Sequence, residues 1–247
     1  MHRYAPHSDD FYVNMSLCSE MDLPSSRETV LHFLESIQRR HPDMRNFYGR
    51  EQGDFVLEED KDQGRYRFVA IEQRRLCGGH VNPESLDDAM ALHELVLDSA
   101  PYMLSLSGLD CEALDLMFGF DFTYRGNHNE IVAEALGIAP AFEPFARMPG
   151  ARMINCEPSI TLAYDDDCRT QVRVNIETRT NAYTIRTGDF PEEQLSVYVT
   201  ARRYGSLEAG DDFVQAIRRL RSLCEEVCDS HVVGEILQPL AQAIASR

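Results

Sequence analysis

Asp121, His128 and Glu130 fall within ten positions, in the run Asp121-Phe122-Thr123-Tyr124-Arg125-Gly126-Asn127-His128-Asn129-Glu130. Two carboxylates and an imidazole at a strand-turn-helix junction can hold a divalent metal or work as an acid/base pair, which is the chemistry of a metal-assisted hydrolase or lyase. The same residues have a plainer account. Asn127 with Glu130 three positions later is a helix cap, and Asp121 can orient Arg125 or Tyr124. The plainer account is preferred: no catalytic residue, metal ligand or cofactor is assigned, and the hydrolase stands as the alternative.

Other reactive residues reduce in the same way. His93-Glu94 is followed by Leu97 where a zincin helix needs its second histidine. Cys224 and Cys228 lie one helical turn apart on a stripe with Leu220 and read as buried thiols. Cys77-Gly78-Gly79-His80 offers a ligand pair, but its glycines read as a strand end before an Asn82 cap. Lys61 is the one lysine, set in the charged turn Glu58-Glu59-Asp60-Lys61-Asp62, so Schiff-base and phosphate-loop chemistry are set aside. His41-Pro42-Asp43 after Gln38-Arg39-Arg40 resembles the tripeptide of the J-domain co-chaperones, which implies contact with an Hsp70. A second long helix should follow it; the chain instead continues into aromatic, glycine and strand signals, so the tripeptide reads as a helix stop.

The arginines make a better case. Along 170–179, Val172, Val174 and Ile176 alternate with Arg173, Asn175, Glu177 and Arg179; along 195–203, Leu195, Val197, Val199 and Ala201 alternate with Ser196, Tyr198, Thr200 and Arg202. One face of each strand is apolar and the other polar. Arg173, Arg179, Tyr198 and Arg202, with Arg186 nearby, are the candidate ligand-binding set. Neighbouring guanidinium forks can converge on a carboxylate or phosphate. The competing accounts are a solvated face neutralised by Glu177 and Asp189, and a homodimer interface, where Arg and Tyr are enriched.

The elements that must position this face follow from periodicity. A strand at 11–18, a helix opened by Ser25 and Glu28, strands at 55–59 and 66–74 and a helix after Asn82-Pro83 give β-α-β-β-α. A strand at 114–124, a helix capped by Asn127, a hairpin over 152–164 and 170–179, short strands at 183–185 and 195–203, a helix from Gly210-Asp211 and a last helix over 232–245 interrupted by Pro239 give β-α-β(4)-α-α. Strands joined by short turns pair antiparallel, and helices with one apolar stripe must bury it, so the expected class is α+β, an antiparallel sheet with helices on one face. The halves, 1–110 and 111–247, share an element order; they form one sheet or two domains, with 140–149 as linker in the second case. The order β-α-β(4)-α resembles that of TATA-box-binding-like and helix-grip folds, a likeness of architecture.

Composition bounds the function. The 247 residues carry a formal net charge of −17, which repels polyanions and anionic bilayers, so neither nucleic acid nor membrane is an expected partner. No apolar run approaches the roughly 20 residues of a membrane span, and the first ten residues lack a secretory apolar stretch. Seven cysteines without paired spacing read as reduced thiols. The expectation is a cytoplasmic, non-catalytic binding or protein-interaction module, a homo-oligomer, taking an anionic small molecule or a protein on its polar sheet face.

Overall fold

Strict alternation in the first strand sets the two faces of the molecule. The computed structural model describes residues 3–50, 53–208 and 210–247. In β1 (Asp10–Ser19), Phe11, Val13, Met15 and Leu17 are buried while Tyr12, Asn14 and Ser16 sit half-buried on the opposite face. The chain continues through α1 (Arg27–Arg40), β2 (Asn46–Gly49), β3 (Phe55–Glu58), β4 (Tyr66–Ile71), β5 (Arg75–Val81) and α2 (Leu86–Met103). Then follow β6 (Cys111–Arg125), α3 (His128–Leu136), α4 (Glu143–Ala146), β7 (Ser159–Ala163), β8 (Thr170–Glu177), α5 (Ala182–Thr187), β9 (Glu192–Tyr204), α6 (Phe213–Val227) and α7 (Gln238–Ala245).

The nine strands of the described residues join one antiparallel sheet in the order β2-β3-β4-β5-β1-β6-β9-β8-β7. The first half supplies one side and the second half the other, and β1 pairs with β6 along the seam. Helices pack on the apolar face: α2 lies on β5 and β1, α6 on β6 and β9, and α1 against α2. Leu195, Val197, Val199 and Ala201 of β9 are fully buried beneath them, as are Val172 and Ile176 of β8. Val174 is partly buried against the same core. The expected α+β class and the inward direction of these apolar residues therefore hold. Among the described residues no helix is long and apolar enough to cross a membrane.

Several local expectations are corrected. Cys77 and His80 are not a strand end: they lie within β5, and β2 is a further strand, so the first half is β-α-β(4)-α. The first helix is capped by Ser26, whose side chain accepts from the Thr29 amide, rather than by Ser25. Asn82 does not cap a helix. It takes a left-handed φ of 49° and ties Phe11, Asp10 and Gly64 together, and Ser85 caps α2 instead. The segment 183–185 is not a strand but part of α5, because the Asn181 side chain accepts from the Tyr183 and Thr184 amides and starts a helical turn. Pro239 does not interrupt the last helix. The chain passes from α6 into α7 through a wider-wound stretch, Cys228–Leu237, in which Gln238 N–H reaches back five residues to Val233.

Candidate ligand-binding site

The strand register brings the polar residues into rows that run across the sheet. Asn14 of β1 faces Met117 of β6, which faces Thr200 of β9, then Arg173 of β8 and Thr161 of β7. One row over lie Tyr12, Gly119, Tyr198, Asn175 and Ser159. On the other side lie Ser16, Asp115, Arg202, Gln171 and Ala163. With strands about 4.8 Å apart, five residues of a row span roughly 19 Å. Together the rows floor a cleft of about 560 Å³ on the helix-free face, lined by Tyr12, Arg173, Tyr198 and Arg202 among others.

Glycine shapes the floor. A Cβ on Gly119 would lie 2.2 Å from the Tyr12 ring, so the bare backbone lets that ring lie across β6. Tyr12 Oη then donates to Asp121 Oδ1 at 3.2 Å, and its ring meets Tyr198 edge-on at 6.4 Å. Burial, then the Asp121 charge and the Tyr198 hydroxyl, push the Tyr12 pKa up, so Tyr12 stays a neutral donor. Burial also raises the Asp121 pKa, against the hydrogen bond from Tyr12.

The charges differ in how they are paired. Arg202 donates to both oxygens of Asp115, at 2.5 Å each, and to Tyr204 Oη at 3.0 Å, so its fork is filled from within. Glu177 pairs with Arg179 at 3.5 Å. Arg173 donates Nε to Ser159 Oγ at 3.2 Å and has no ion pair among the described residues. Its exposed guanidinium is the one lining cation of the cleft left without a carboxylate among the described residues.

Arg173, Tyr198 and Arg202 are thus brought together, and Arg179 is set apart. β8 ends at Glu177, and Arg179 lines a separate recess with Thr123, Glu192, Glu193 and Gln194. Burial opposes its charge, but Tyr198, Glu177 and Asp121 outweigh that and hold its pKa up, linking it to the end of the cleft. Arg186 lies on α5, stacked over Tyr183, and not on the sheet face.

Asp121, His128 and Glu130 are engaged separately. His128 is buried; its Nε2 donates to the Tyr124 carbonyl at 3.2 Å while Nδ1 accepts from the Arg179 amide at 3.3 Å. Both ring nitrogens are used, and burial pulls its pKa down. Asn127 caps α3 as read from the sequence, its side chain accepting from the Asn129 amide, but Glu130 does not close the expected box: its Oε1 accepts from the Asn127 side-chain Nδ2 at 3.0 Å rather than from the Asn127 backbone. Among the described residues no group of three or more His, Cys, Asp or Glu side chains stands close enough to hold a metal ion. Cys224 and Cys228 are buried core thiols, and burial pushes Cys224 up to about 12.

Sequence reasoning missed Asp115 and Tyr12. Tyr12 and Asp115 are placed on this face by the β1–β6 pairing, which joins the halves and has no local signature. No protein-family model matches the chain, and no curated protein matches it.

Proposed function

We propose that the chain is a non-catalytic cytoplasmic binding module whose helix-free sheet face takes the anionic group of a small molecule, with Arg173 as the anchor. The observation that supports this is the unmatched Arg173 guanidinium in a cleft where Arg202 is satisfied by Asp115 and Glu177 by Arg179. A guanidinium with a free edge accepts a carboxylate or phosphate through two parallel hydrogen bonds, and Tyr198, Asn175 and Thr200 offer polar contacts beside it. Nothing in the arrangement favours the hydrolase alternative, since His128 and Glu130 have structural partners.

Thermal shift with acetate, succinate, benzoate and inorganic phosphate tests the reading. A ligand at about 100 times its Kd adds roughly 2.7 kcal/mol, which is about 5–10 °C for a chain this size. Wild type should respond to at least one of these and Arg173→Ala should not, while keeping the same circular dichroism. Equal responses in the two proteins would defeat the assignment of Arg173. Native mass spectrometry on the same samples reads subunit number. A multiple of 28.1 kDa that collapses in Arg173→Ala would give this face to a homo-oligomer, the competing use of the same residues.

A further inference from the structure

The two halves of the sheet are covered unequally on the helical side. Counting outward from the seam, β3 and β7 hold matching places, as do β4 and β8. In the first half the 14-residue α1 buries Val30, Phe33, Leu34 and Ile37, and Leu57 of β3 is 2% exposed. In the second half the corresponding helix, α3, has 9 residues. At about 1.5 Å per residue it is some 7 Å shorter. On β7, Ile160 is left 56% and Leu162 49% exposed, on the face that Val172 and Val174 turn toward the core, and Tyr164 follows them into the turn.

The row Ile160, Leu162 and Tyr164 leads, at the turn end of the hairpin, into a groove of about 810 Å³, with Tyr164 on one side and Leu220 and Leu223 of α6 on the other. Six carboxylates and three guanidiniums rim it. The guanidiniums are all engaged: Arg219 with Asp211 at 2.5 Å, Arg203 with Glu208 at 3.5 Å, and Arg169 with the Tyr204 and Ser206 carbonyls. Asp166, Asp167 and Glu226 have no ion pair among the described residues. β7 is also an edge strand, Ser159-Ile160-Thr161-Leu162-Ala163, with none of the charges or prolines that usually guard such an edge.

We infer that this face is a docking surface for a cationic amphipathic helix of another protein, lying beside α6 and across the row Ile160, Leu162 and Tyr164. Its apolar stripe would cover Ile160, Leu162 and Leu223, and its cations would meet Asp166, Asp167 and Glu226. The free charge of the rim chooses the occupant: a second copy would bring a formal net charge of −17 to an already acidic groove. The surface lies on the opposite side of the sheet from the Arg173 cleft and does not depend on it.

Fluorescence anisotropy on the intact protein with three synthetic peptides of about 18 residues, five helical turns, tests this. One carries a leucine stripe with lysines, one the same stripe with glutamates, and one the lysines with serines for leucines. The leucine-lysine peptide should bind saturably and the other two should not. Leu162→Glu changes a half-exposed side chain, so its melting temperature should hold while affinity falls at least about tenfold, the worth of one buried leucine. Asp166→Asn with Asp167→Asn should weaken binding about threefold to tenfold and flatten its salt dependence. Equal binding of the lysine-serine peptide, unchanged binding in Leu162→Glu, or no binding of any peptide overturns the inference. So does a concentration-dependent dimer in sedimentation that Leu162→Glu abolishes, because the face then belongs to a second copy.

Discussion

Arg202 and Asp115 stand directly opposite each other on β9 and β6, 87 positions apart in the chain, and close two hydrogen bonds of 2.5 Å. The pair does not share its surroundings evenly: the Asp115 side chain is 13% exposed and the Arg202 side chain 40%. Removing the arginine strands a buried carboxylate, whereas removing the carboxylate leaves a cation that water can reach. Arg202→Ala should therefore cost about 1–3 kcal/mol and Asp115→Asn less, measured by urea unfolding at neutral pH. Asp115→Asn also releases a second guanidinium into the cleft, so anions that bind at Arg173 should bind it more tightly. Equal costs for the two variants would contradict the asymmetry.

Two buried histidines make the fold sensitive to acid. His80 is fully buried, 3.7 Å from Asp88, with neither ring nitrogen hydrogen-bonded among the described residues, and burial followed by the Arg67 charge lowers its pKa to about 3. His93 is likewise buried; its Nε2 bonds the Val13 carbonyl at 3.2 Å, and burial lowers its pKa to about 4. Both fold in the neutral form, while the unfolded chain takes up protons below about 6.5. Stability is whole above pH 6.5 and declines as pH falls toward these folded values, by up to about 1.4 kcal/mol per pH unit for each histidine. Urea midpoints between pH 7 and 4.5 should fall, and His93→Leu should lower the slope by close to one proton even if its absolute stability shifts. An unchanged slope would mean that His93 is charged in the native state.

Much of this architecture is legible in local sequence because burial writes itself as alternation. Leu195, Val197, Val199 and Ala201 are buried where their period places them, and Asn127 and Asp60 begin helical turns as their types suggest. Misreadings arise where a residue's form is dictated by a neighbour distant in the chain. Gly78 and Gly79 look like a break but sit inside β5, because a Cβ on Gly79 would strike Phe68 at 2.0 Å and one on Gly78 would reach His93 Nδ1 at 3.0 Å. Tyr183-Thr184-Ile185 has strand-forming residue types, yet the Asn181 cap decides its conformation. Arg179 keeps the alternation two positions beyond the end of β8, so period alone does not show that it lines a neighbouring recess and meets the cleft only at its end, through Glu177. Arg173, Tyr198 and Arg202 could be grouped from alternation; that Arg173 is the cleft cation without a carboxylate among the described residues could not, because Asp115 arrives through the register of β6.

Gly119 should resist every substitution, small ones included. An added Cβ would meet three atoms of the Tyr12 ring between 2.2 and 2.8 Å, far inside contact distance, and the ring cannot yield without losing its bond to Asp121. Gly119→Ala is expected to cost about 1–3 kcal/mol, a drop in melting temperature of roughly 2–12 °C. Gly137→Ala is the useful comparison. Its Cβ would meet nothing within 4 Å, so any cost there comes from its φ of 76° alone. Pairing Gly119→Ala with Tyr12→Ala should recover part of the loss, because the clash disappears with the ring. If the double variant is as unstable as the sum of the two, the clash is not the reason for the glycine.

Asn129 ties its own helix to two other segments with one side chain. It is fully buried, and its amide donates to the Ile154 carbonyl at 2.9 Å while its oxygen accepts from the Cys156 amide at 2.7 Å and the Thr178 hydroxyl at 3.1 Å. The start of α3, the approach to β7 and the exit of β8 therefore depend on one amide. Asn129→Asp keeps the acceptor and loses the donor; Asn129→Leu loses both and strands the Cys156 amide. The expected order of stability is wild type, then Asp, then Leu, with the leucine variant lower by about 2–4 kcal/mol. Hydrogen exchange should localise the effect. Faster exchange at Cys156 and Ile176 with little change in β1 would show that the second half opens at its outer edge while the seam holds. Uniform acceleration across the sheet would show instead that the amide supports the whole fold and not this corner of it.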